Sequence, residues 1–325
     1  MIAVTGGSGH IGANLVRALL ERGERLRVLV RENERSLHGL PIEEIKGDVR
    51  DLASLRRCFE GAELVYHLAA KIAIGREKYE EVAAINVEGV RNVATACREV
   101  GVKRLLHFSS IHAISPVPRD LPVDENRPLL EDAKAPVYDR SKAAGERVLR
   151  EAIDQGLDAV VVNPTGVIGP NDFTPSRMGT VLLYLRARKL PGLVDGGFNW
   201  VDARDVVQGA IAAAARGKAG DRFVLSGEWL SVTEVAEAVE QLTGARKPWF
   251  TSSMWLARVG APFAGAWAAA FNKPVLFTSA ALHALRDHRH VTHEKATRVL
   301  DFHPRAFKET LKDTFSWFDA HQKGA

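Results

Sequence analysis

Cysteine is scarce in this chain of 325 residues, and no residues are spaced as metal ligands usually are. The two cysteines, Cys58 and Cys97, lie in separate helical patterns and form no C-x-x-C pair. Disulfides belong mainly to oxidising compartments, and structural zinc needs closely spaced cysteine and histidine ligands. The histidines, including His288 and His290, show no such spacing. The sequence therefore predicts no disulfide, no metal site and a cytoplasmic location.

A long uninterrupted hydrophobic run is also missing. The most apolar stretch, Met254–Phe271, is interrupted by Arg258, Gly260, Pro262 and Gly265. A helix that crosses a membrane needs about twenty predominantly apolar residues. The pattern predicts no membrane span. We interpret the stretch as core or pocket lining, with attachment to a membrane surface as the alternative. Because the chain starts with an apolar strand pattern, we expect no signal peptide.

Blocks of like charge are absent as well. The chain has 44 basic and 40 acidic side chains, and they are interspersed, which leaves a formal net charge of +4. A nucleic-acid-binding domain typically concentrates its basic residues on one face or along one helix. The charge pattern therefore predicts a mixed, solvated surface and no nucleic-acid partner. A hydrophobic fraction of 46% is typical of a globular protein.

Short apolar runs alternate with amphipathic helical patterns through the first half of the chain. The predicted strands are Ile2–Val4, Leu26–Val30, Ile42–Ile45, Leu64–His67, Leu105–Phe108 and Ala159–Val162, and the predicted helices include Ala13–Glu21, Tyr79–Val100 and Tyr138–Ile153. Such alternation implies a parallel sheet with helices on both faces. The sequence thus predicts an α/β fold with a doubly wound parallel sheet.

The pattern changes after Asn163-Pro164, where glycine and proline become frequent. Further helices are predicted at Arg177–Ala187, Val206–Ala215 and Val235–Leu242, and a late strand at Arg222–Leu225. A capping-box sequence, Ser231 to Glu234, opens the third of these helices. We expect residues 1–165 and 202–226 to form the sheet domain. Residues 166–201 and 227–325 would form a smaller, mostly helical C-terminal substrate lobe.

A glycine-rich loop lies directly between the first strand and the first helix. It comprises Thr5, Gly6, Gly7, Ser8, Gly9, His10, Ile11 and Gly12. Gly6 permits the tight turn, Gly9 lets the backbone approach a pyrophosphate, and Gly12 lets the helix pack closely. The helix N-terminus offers N–H groups to the phosphates. In this strand-turn-helix context the loop predicts a dinucleotide site of the Rossmann type.

The residues after the second strand bear on which dinucleotide binds. An acidic residue there would hydrogen-bond the ribose of NAD, whereas an arginine accommodates the 2′-phosphate of NADP. Arg31 follows this strand and favours NADP(H), although Glu32 and Glu34 keep NAD(H) open. The ends of the next two strands add further candidate cofactor contacts: Asp48, Val49, Leu68, Ala69 and Ala70.

A tyrosine and a lysine lie four residues apart at the start of a predicted helix. This spacing puts Tyr138 and Lys142 on one helix face. A nearby ammonium favours the phenolate, so we expect Lys142 to lower the pKa of Tyr138. The tyrosine could then exchange a proton with a carbonyl oxygen during hydride transfer. Ser109 and Ser110 end the fifth strand and supply a hydroxyl for the same oxygen.

Seven sequence runs together resemble the extended short-chain dehydrogenase/reductase superfamily along essentially the whole chain. They are TGGSGHIG, GDVRD, YHLAA, NVEGVRNV, HFSS, YDRSK and NPTGVIGP. Within that superfamily the chain most resembles the dihydroflavonol-reductase-like branch, which is close to the 3β-hydroxysteroid dehydrogenases. The resemblance implies a triad of Ser110, Tyr138 and Lys142, and a homodimer. The resemblance also implies that the segment with Pro164, Thr165 and Val167 lies beside the nicotinamide.

Four residues are candidate substrate contacts. His112 follows Ser110 by two residues, and Asn163 ends the sixth predicted strand. Phe173 and Arg177 come after a Gly-Pro turn where this fold usually begins its substrate lobe. Each has a plainer alternative, since a loop histidine, a strand-end amide or a packed aromatic ring needs no functional role.

Three functions are compatible with these features. The first is an NADP(H)-dependent oxidoreductase that reduces a ketone or aldehyde of a small hydrophobic or aromatic substrate. The second is a nucleotide-sugar epimerase or dehydratase that retains NAD. The family resemblance expects an arginine for the sugar-nucleotide diphosphate where Phe198 stands, although Arg204 or Arg177 could replace it. The third, a non-enzymatic NADP sensor, would not need the complete triad.

Overall fold

The structure, a computed structural model, describes residues 1–31, 35–73, 77–256 and 279–321. Glu32 and Glu34, which bear on the choice of dinucleotide, lie outside these ranges. Most of the apolar stretch Met254–Phe271 also lies outside them. Only Met254, Trp255 and Leu256 of that stretch belong to the described residues, and Trp255 is exposed.

The described residues contain twelve strands. They are β1 (Ile2–Thr5), β2 (Leu26–Val30), β3 (Glu43–Lys46), β4 (Leu64–His67), β5 (Arg104–Phe108), β6 (Ala159–Pro164), β7 (Gly166–Ile168), β8 (Leu193–Val194), β9 (Gly197–Asp202), β10 (Arg222–Leu225), β11 (Glu228–Ser231) and β12 (Thr251–Ser252). Seven of them form one sheet in the order β3-β2-β1-β4-β5-β6-β10, with every neighbouring pair parallel. Strands β1 and β6 are buried along their whole length, as a sheet covered on both faces requires.

The described residues contain eleven α-helices, some of which cover the two faces of this sheet. They are α1 (His10–Glu21), α2 (Leu52–Phe59), α3 (Tyr79–Asn86), α4 (Glu88–Glu99), α5 (Val137–Asp154), α6 (Arg177–Arg186), α7 (Ala203–Arg216), α8 (Val232–Thr243), α9 (Ser279–Ala284), α10 (Glu294–Leu300) and α11 (Phe307–His321). One apolar core lies under α1, α7 and α10, and a second lies under α2, α4 and α5. The predicted doubly wound α/β fold is therefore confirmed. Within the described ranges, no helix is long and apolar enough to cross a membrane.

The predicted helix Tyr79–Val100 is wrong in one respect, because the structure divides it at Val87 into α3 and α4. The side chain of Asn86, the last residue of α3, explains the break. Its Oδ1 accepts from the N–H of Lys71 at 2.8 Å, and its Nδ2 donates to the Lys71 carbonyl and to Ser141 Oγ, each at 2.9 Å. The helix therefore ends where Asn86 is fixed to the loop after β4 and to α5.

The second part of the chain contains more β-structure than the predicted, mostly helical lobe. Strands β11, β9 and β7 form a three-stranded sheet, in which β9 is antiparallel to β11 and parallel to β7. Strand β12 pairs with β8. These strands have two to six residues each, too few for an alternating pattern to stand out. A separate apolar core joins this sheet to α6, α8 and α11, and Trp200 is buried in it.

Candidate active site

The carboxyl ends of β1, β4, β5 and β6 meet at one edge of the central sheet. Strand β1 lies between β2 and β4, so the order of connections reverses beside it. Open α/β sheets bind ligands in the crevice at such a point. The ends of β1 and β4 are joined here by Thr5 Oγ1 and His67 Nδ1, which are 2.6 Å apart. The backbone N–H of Leu68 donates to the Thr5 carbonyl at 3.0 Å. The predicted cofactor residues Leu68, Ala69 and Ala70 follow β4 at this edge.

Three glycines of the loop after β1 differ in what surrounds them. Gly6 has φ +73°, and a Cβ there would lie 2.5 Å from the nitrogen of Ala69. A Cβ at Gly12 would lie 2.1 Å from the Gly6 carbonyl oxygen. Both positions therefore require glycine for the turn itself. A Cβ at Gly9 would meet no protein atom closer than 3.5 Å. The space beside Gly9 is open, as the approach of a ligand to the backbone requires.

The first turn of α1 is anchored to the segment that follows β7. Nε2 of His10 lies 3.2 Å from the Gly169 carbonyl oxygen and 3.1 Å from that of Pro170. Asn14 Nδ2 donates to the same Pro170 oxygen at 2.9 Å. The ring of His10 is thus engaged with the protein, and Ile11 packs against the core. No side chain caps the helix at Gly9, which leaves its first N–H groups for an anion.

Arg31 and Asp48 lie at the adenosine end of the predicted cofactor site. Arg31 is exposed after β2. The carboxylate of Asp48 forms two 2.9 Å hydrogen bonds with the guanidinium of Arg50, a partner that the sequence reasoning missed. This pairing holds the pKa of Asp48 below its usual range, and the charge of Arg31 contributes. Val49 is buried and packs beside Gly89.

Ser110, Tyr138 and Lys142 come from two elements that meet at the same sheet edge. Ser110 follows β5, and its hydroxyl is close enough to the phenol of Tyr138, near the start of α5, to influence its pKa. Ser110 Oγ also accepts from the backbone N–H of His112 at 3.2 Å. Lys142 is buried one turn after Tyr138, and its Nζ donates to the Phe108 carbonyl at 2.8 Å.

Burial dominates the protonation of the tyrosine and the lysine. It raises the pKa of Tyr138 to about 12, although the Ser110 hydroxyl acts to lower it, and the nearby Asp139 carboxylate raises it further. Burial lowers the pKa of Lys142 to about 8, and the charge of Glu146 opposes this shift. The expectation that Lys142 lowers the pKa of Tyr138 is therefore wrong. The physical reason is that burial of the phenol outweighs other effects, while the ammonium is directed to Phe108.

A buried polar network lies next to these residues. Ser109 Oγ donates to Glu146 Oε2 at 2.6 Å, and Asn163 Nδ2 donates to the same oxygen at 3.1 Å. Arg222 Nη2 lies 2.7 Å from Glu146 Oε1. Sequence reasoning missed Glu146 and Arg222. The available signal was the position of Glu146, four residues after Lys142 and so on the same helix face.

The four candidate substrate residues separate into two pairs. The His112 ring lies 5.9 Å from the Tyr138 ring, edge-on, and Asn163 Nδ2 donates to the Ser110 carbonyl at 2.9 Å. Phe173 packs on Trp317, with 5.1 Å between the ring centroids, and Arg177 is exposed at the start of α6. In the described part of the chain, no hydrogen bond, ion pair or ring contact joins Phe173 or Arg177 to the three predicted catalytic residues. The structure thus brings His112 and Asn163 to the site.

A cavity of about 270 Å³ opens beside His112. Its lining includes His112, Asp139, Asp287, His288, Arg119 and Pro136. Burial lowers the pKa of His112, but the carboxylates of Asp139 and Asp287 outweigh burial and leave it raised. His112 Nδ1 lies 3.5 Å from Asp139 Oδ1.

The segment after β6 carries the remaining predicted cofactor residues. Pro164 is buried at the end of β6, and Val167 is half-buried in β7. Thr165 Oγ1 donates to Asn199 Oδ1 at 2.9 Å, which ties this segment to β9. On β9, Phe198 packs edge-on against Trp200, with 5.7 Å between the ring centroids.

Comparison with known proteins agrees with this geometry. Residues 2–226 match the model of the NAD dependent epimerase/dehydratase family. The chain is 38% identical over 248 residues to sterol demethylase protein B of Methylococcus capsulatus, which covers 75% of each protein. It is 32% identical to a putative dihydroflavonol 4-reductase of Synechocystis, over 98% of this chain and 94% of that protein.

A solved structure extends the comparison to the whole fold. The crystal structure of a nucleoside-diphosphate-sugar epimerase from Pseudomonas aeruginosa superposes with a TM-score of 0.79 at 26% identity. The superposition covers 98% of this chain and 97% of that one. The predicted resemblance is thereby confirmed, including the similarity to dihydroflavonol-reductase-like proteins. The chain belongs to the NAD-dependent epimerase/dehydratase family, and it is an NAD(P)-dependent enzyme of the extended short-chain dehydrogenase/reductase type.

Proposed function

We propose that this protein is an NADP(H)-dependent oxidoreductase that reduces the carbonyl group of a small hydrophobic or aromatic ketone or aldehyde. The observation that carries the proposal is the position of Tyr138 near Ser110, one helical turn before the buried Lys142. These groups stand at the same sheet edge as the open side of Gly9.

Each residue has a defined role in this reaction. The reduced nicotinamide supplies a hydride to the carbonyl carbon. Tyr138 gives its phenolic proton to the carbonyl oxygen, which Ser110 polarises with its hydroxyl. Because the pKa of Tyr138 is raised to about 12, the phenol is protonated at neutral pH, as a general acid must be. Lys142 would bind the hydroxyls of the nicotinamide ribose.

The remaining cofactor contacts follow from the position of each residue. The N–H groups at the start of α1 would hold the pyrophosphate, with Gly9 leaving room for it. Arg31 would pair with the 2′-phosphate through its guanidinium group, which favours NADP(H) over NAD(H). The nicotinamide ring would lie beside Pro164, Thr165 and Val167.

Two features support a hydrophobic substrate of low negative charge. The relatives named above include a sterol demethylase protein and a putative flavonoid reductase, whose names point to polycyclic, largely apolar compounds. The cavity beside His112 has four acidic side chains in its lining, Glu131, Asp132, Asp139 and Asp287, against one arginine, Arg119, which pairs with Asp287 at 3.0 Å; this excess of negative charge would repel an anionic substrate. We propose that His112 and Asn163 contact or position the substrate.

A second candidate is an epimerase or dehydratase of nucleotide sugars that retains NAD. The similarity to the Pseudomonas epimerase favours it. Phe198 argues against it, because its ring packs on Trp200 where an arginine would be expected to bind the diphosphate. A non-enzymatic NADP sensor is disfavoured by the family and by the complete triad. We further propose that the enzyme is a cytoplasmic homodimer.

Replacement of the tyrosine tests the mechanism. We expect Tyr138→Phe to lower the turnover of carbonyl reduction by about 10²- to 10⁴-fold, because the general acid is lost. The dissociation constant for NADPH should change less than about twofold, since the phenol hydroxyl contributes to proton transfer rather than to phosphate binding. Stopped-flow oxidation of NADPH with a panel of hydrophobic ketones and aldehydes measures the rate.

Tyr184→Phe provides the matched control, because Tyr184 lies on α6 and its ring contacts Lys189. This variant should retain the turnover of the unmodified enzyme. Full turnover in Tyr138→Phe would contradict the proposed mechanism.

A further inference from the structure

The carboxylate of Glu146 is fully buried between α5 and the ends of three neighbouring strands. It accepts hydrogen bonds from Ser109 Oγ after β5 and from Asn163 Nδ2 on β6. Its other oxygen forms the 2.7 Å ion pair with Arg222 at the start of β10, whose side chain is 4% exposed. One side chain of α5 therefore holds three adjacent strand ends together.

Arg222 is itself fixed by the backbone. Its Nη1 lies 3.1 Å from the Arg127 carbonyl oxygen and 3.3 Å from that of Glu125. The guanidinium thus cannot move without losing these contacts, and the carboxylate that it pairs with is held in one place. Asn163 extends the network, because it donates to both Glu146 and the Ser110 carbonyl.

The charge of Glu146 acts on Lys142. The titratable groups that face this lysine are Glu146 and Tyr138 on its own helix, His67 on β4 and His107 on β5. Burial and the charge of Lys142 lower the pKa of both histidines, so both rings are neutral at neutral pH. Of these groups, Glu146 alone carries the negative charge that offsets the burial of the ammonium.

We propose that Glu146, anchored by Arg222, is a positioning residue for the reaction. It keeps Lys142 charged and fixes the Ser109-Ser110 segment against α5, so that lysine, serine and tyrosine face the dinucleotide and the carbonyl group together. The part of this inference that concerns the dinucleotide rests on the proposed function, whereas the effect on Lys142 does not.

A titration of Lys142 in the enzyme without added dinucleotide tests the electrostatic part. The protein is labelled with ¹³C-lysine, the Lys142 resonance is assigned with Lys142→Met, and its chemical shift is followed with pH. We expect a midpoint at about 8 in the unmodified enzyme. Glu146→Gln should lower it by about one unit or more, because an opposite charge at this range shifts a pKa by that amount. An unchanged midpoint would overturn the proposal.

Two further variants separate charge from structure. Glu151→Gln removes a carboxylate from the exposed face of the same helix and should leave the midpoint unchanged. If Glu146→Gln is poorly folded because Arg222 is left unpaired, the double variant Glu146→Gln with Arg222→Met removes both charges. It should show the same downward shift, since Arg222 is not among the groups that shift Lys142.

Dinucleotide affinity tests the functional part. With the midpoint lowered from about 8 to about 7, the charged fraction of Lys142 near pH 8 falls about fivefold, and the affinity of Glu146→Gln for NADPH should fall by about that factor. Glu146→Asp retains the charge and should recover most of the affinity. Equal affinity in the unmodified and Glu146→Gln enzymes would overturn this part. If the unmodified enzyme binds neither NADPH nor NADH, the proposed function fails, and the lysine titration still decides the role of Glu146.

Discussion

Burial sets the protonation of three histidines around the candidate site. It lowers the pKa of His67 to about 3 and that of His288 to about 4, and it holds the pKa of His107 well below the ordinary value of 6.5. In the unfolded chain these rings would titrate near their ordinary pKa, so the unfolded state binds more protons below it. The contribution of these three histidines to the free energy of unfolding is therefore fully present above about pH 6.5. It decreases as the pH falls toward their pKa values in the folded protein.

His288 allows this linkage to be tested at one residue. Its φ is +59°, a conformation that asparagine tolerates better than most side chains. We expect His288→Asn to make the free energy of unfolding less dependent on pH, by about 1 kcal/mol per pH unit near pH 5. Urea unfolding between about pH 7 and pH 5 measures this slope.

His303 provides the control, because its side chain is exposed whereas that of His288 is buried. His303→Asn should leave the pH dependence almost unchanged. The linkage would be refuted if His288→Asn and the unmodified protein lost stability equally as the pH falls.

At the scale of elements, the turn between β1 and α1 shows two different reasons for glycine. Gly12 is needed by the protein, because its Cβ would overlap the Gly6 carbonyl oxygen at 2.1 Å. Gly9 borders open space and, in the proposed function, is needed for the pyrophosphate. The same sequence motif therefore contains one structural glycine and one binding glycine.

Alanine substitutions distinguish these two roles. We expect Gly12→Ala to lower the free energy of unfolding by about 1–3 kcal/mol, as overpacking does. Gly9→Ala should lower it by less than about 1 kcal/mol, because only the preference for glycine at the N-cap is lost. It should nevertheless weaken NADPH binding at least tenfold. Thermal unfolding and fluorescence titration measure the two effects. A large loss of stability in Gly9→Ala, or NADPH binding as tight as in the unmodified protein, would contradict this division.

The elements also show how far the sequence could predict the structure. Strand β1 and the turn after it are local features, so their pattern was sufficient to predict the strand, the glycine turn and the helix that follows. The break between α3 and α4 was missed, because Asn86 makes its contacts with Lys71 and Ser141, which no helical pattern reveals. The pairing of Glu146 with Arg222 was missed for the same reason, since it joins α5 to a distant strand.

At the scale of the whole molecule, part of a second, smaller sheet lies in the chain between two strands of the central sheet. The chain leaves the central sheet after β6 and returns with β10, and the intervening β9 pairs with both β7 and β11 in the second sheet. Ion pairs of Arg204 with Asp202 and Asp313, each at 2.7 Å, join the start of α7 to α11. Helix α11, which packs in the core of the second sheet, is therefore connected directly to α7 on the central sheet. In the proposed function the choice of substrate depends on the shape of this region, which a one-dimensional pattern does not determine.

A reductase that exchanges NADP(H) freely should be purified without bound dinucleotide and should then bind added NADPH. Both properties can be measured in one experiment. Freshly purified protein is passed through gel filtration and denatured, and any released dinucleotide is identified. Stripped protein is then titrated with NADPH and NADH. We expect no retained dinucleotide and tighter binding of NADPH than of NADH. The preference for NADPH should be lost in Arg31→Ala. NAD that remains bound through gel filtration, or a preference for NADH, would contradict the proposed function and favour the epimerase or dehydratase.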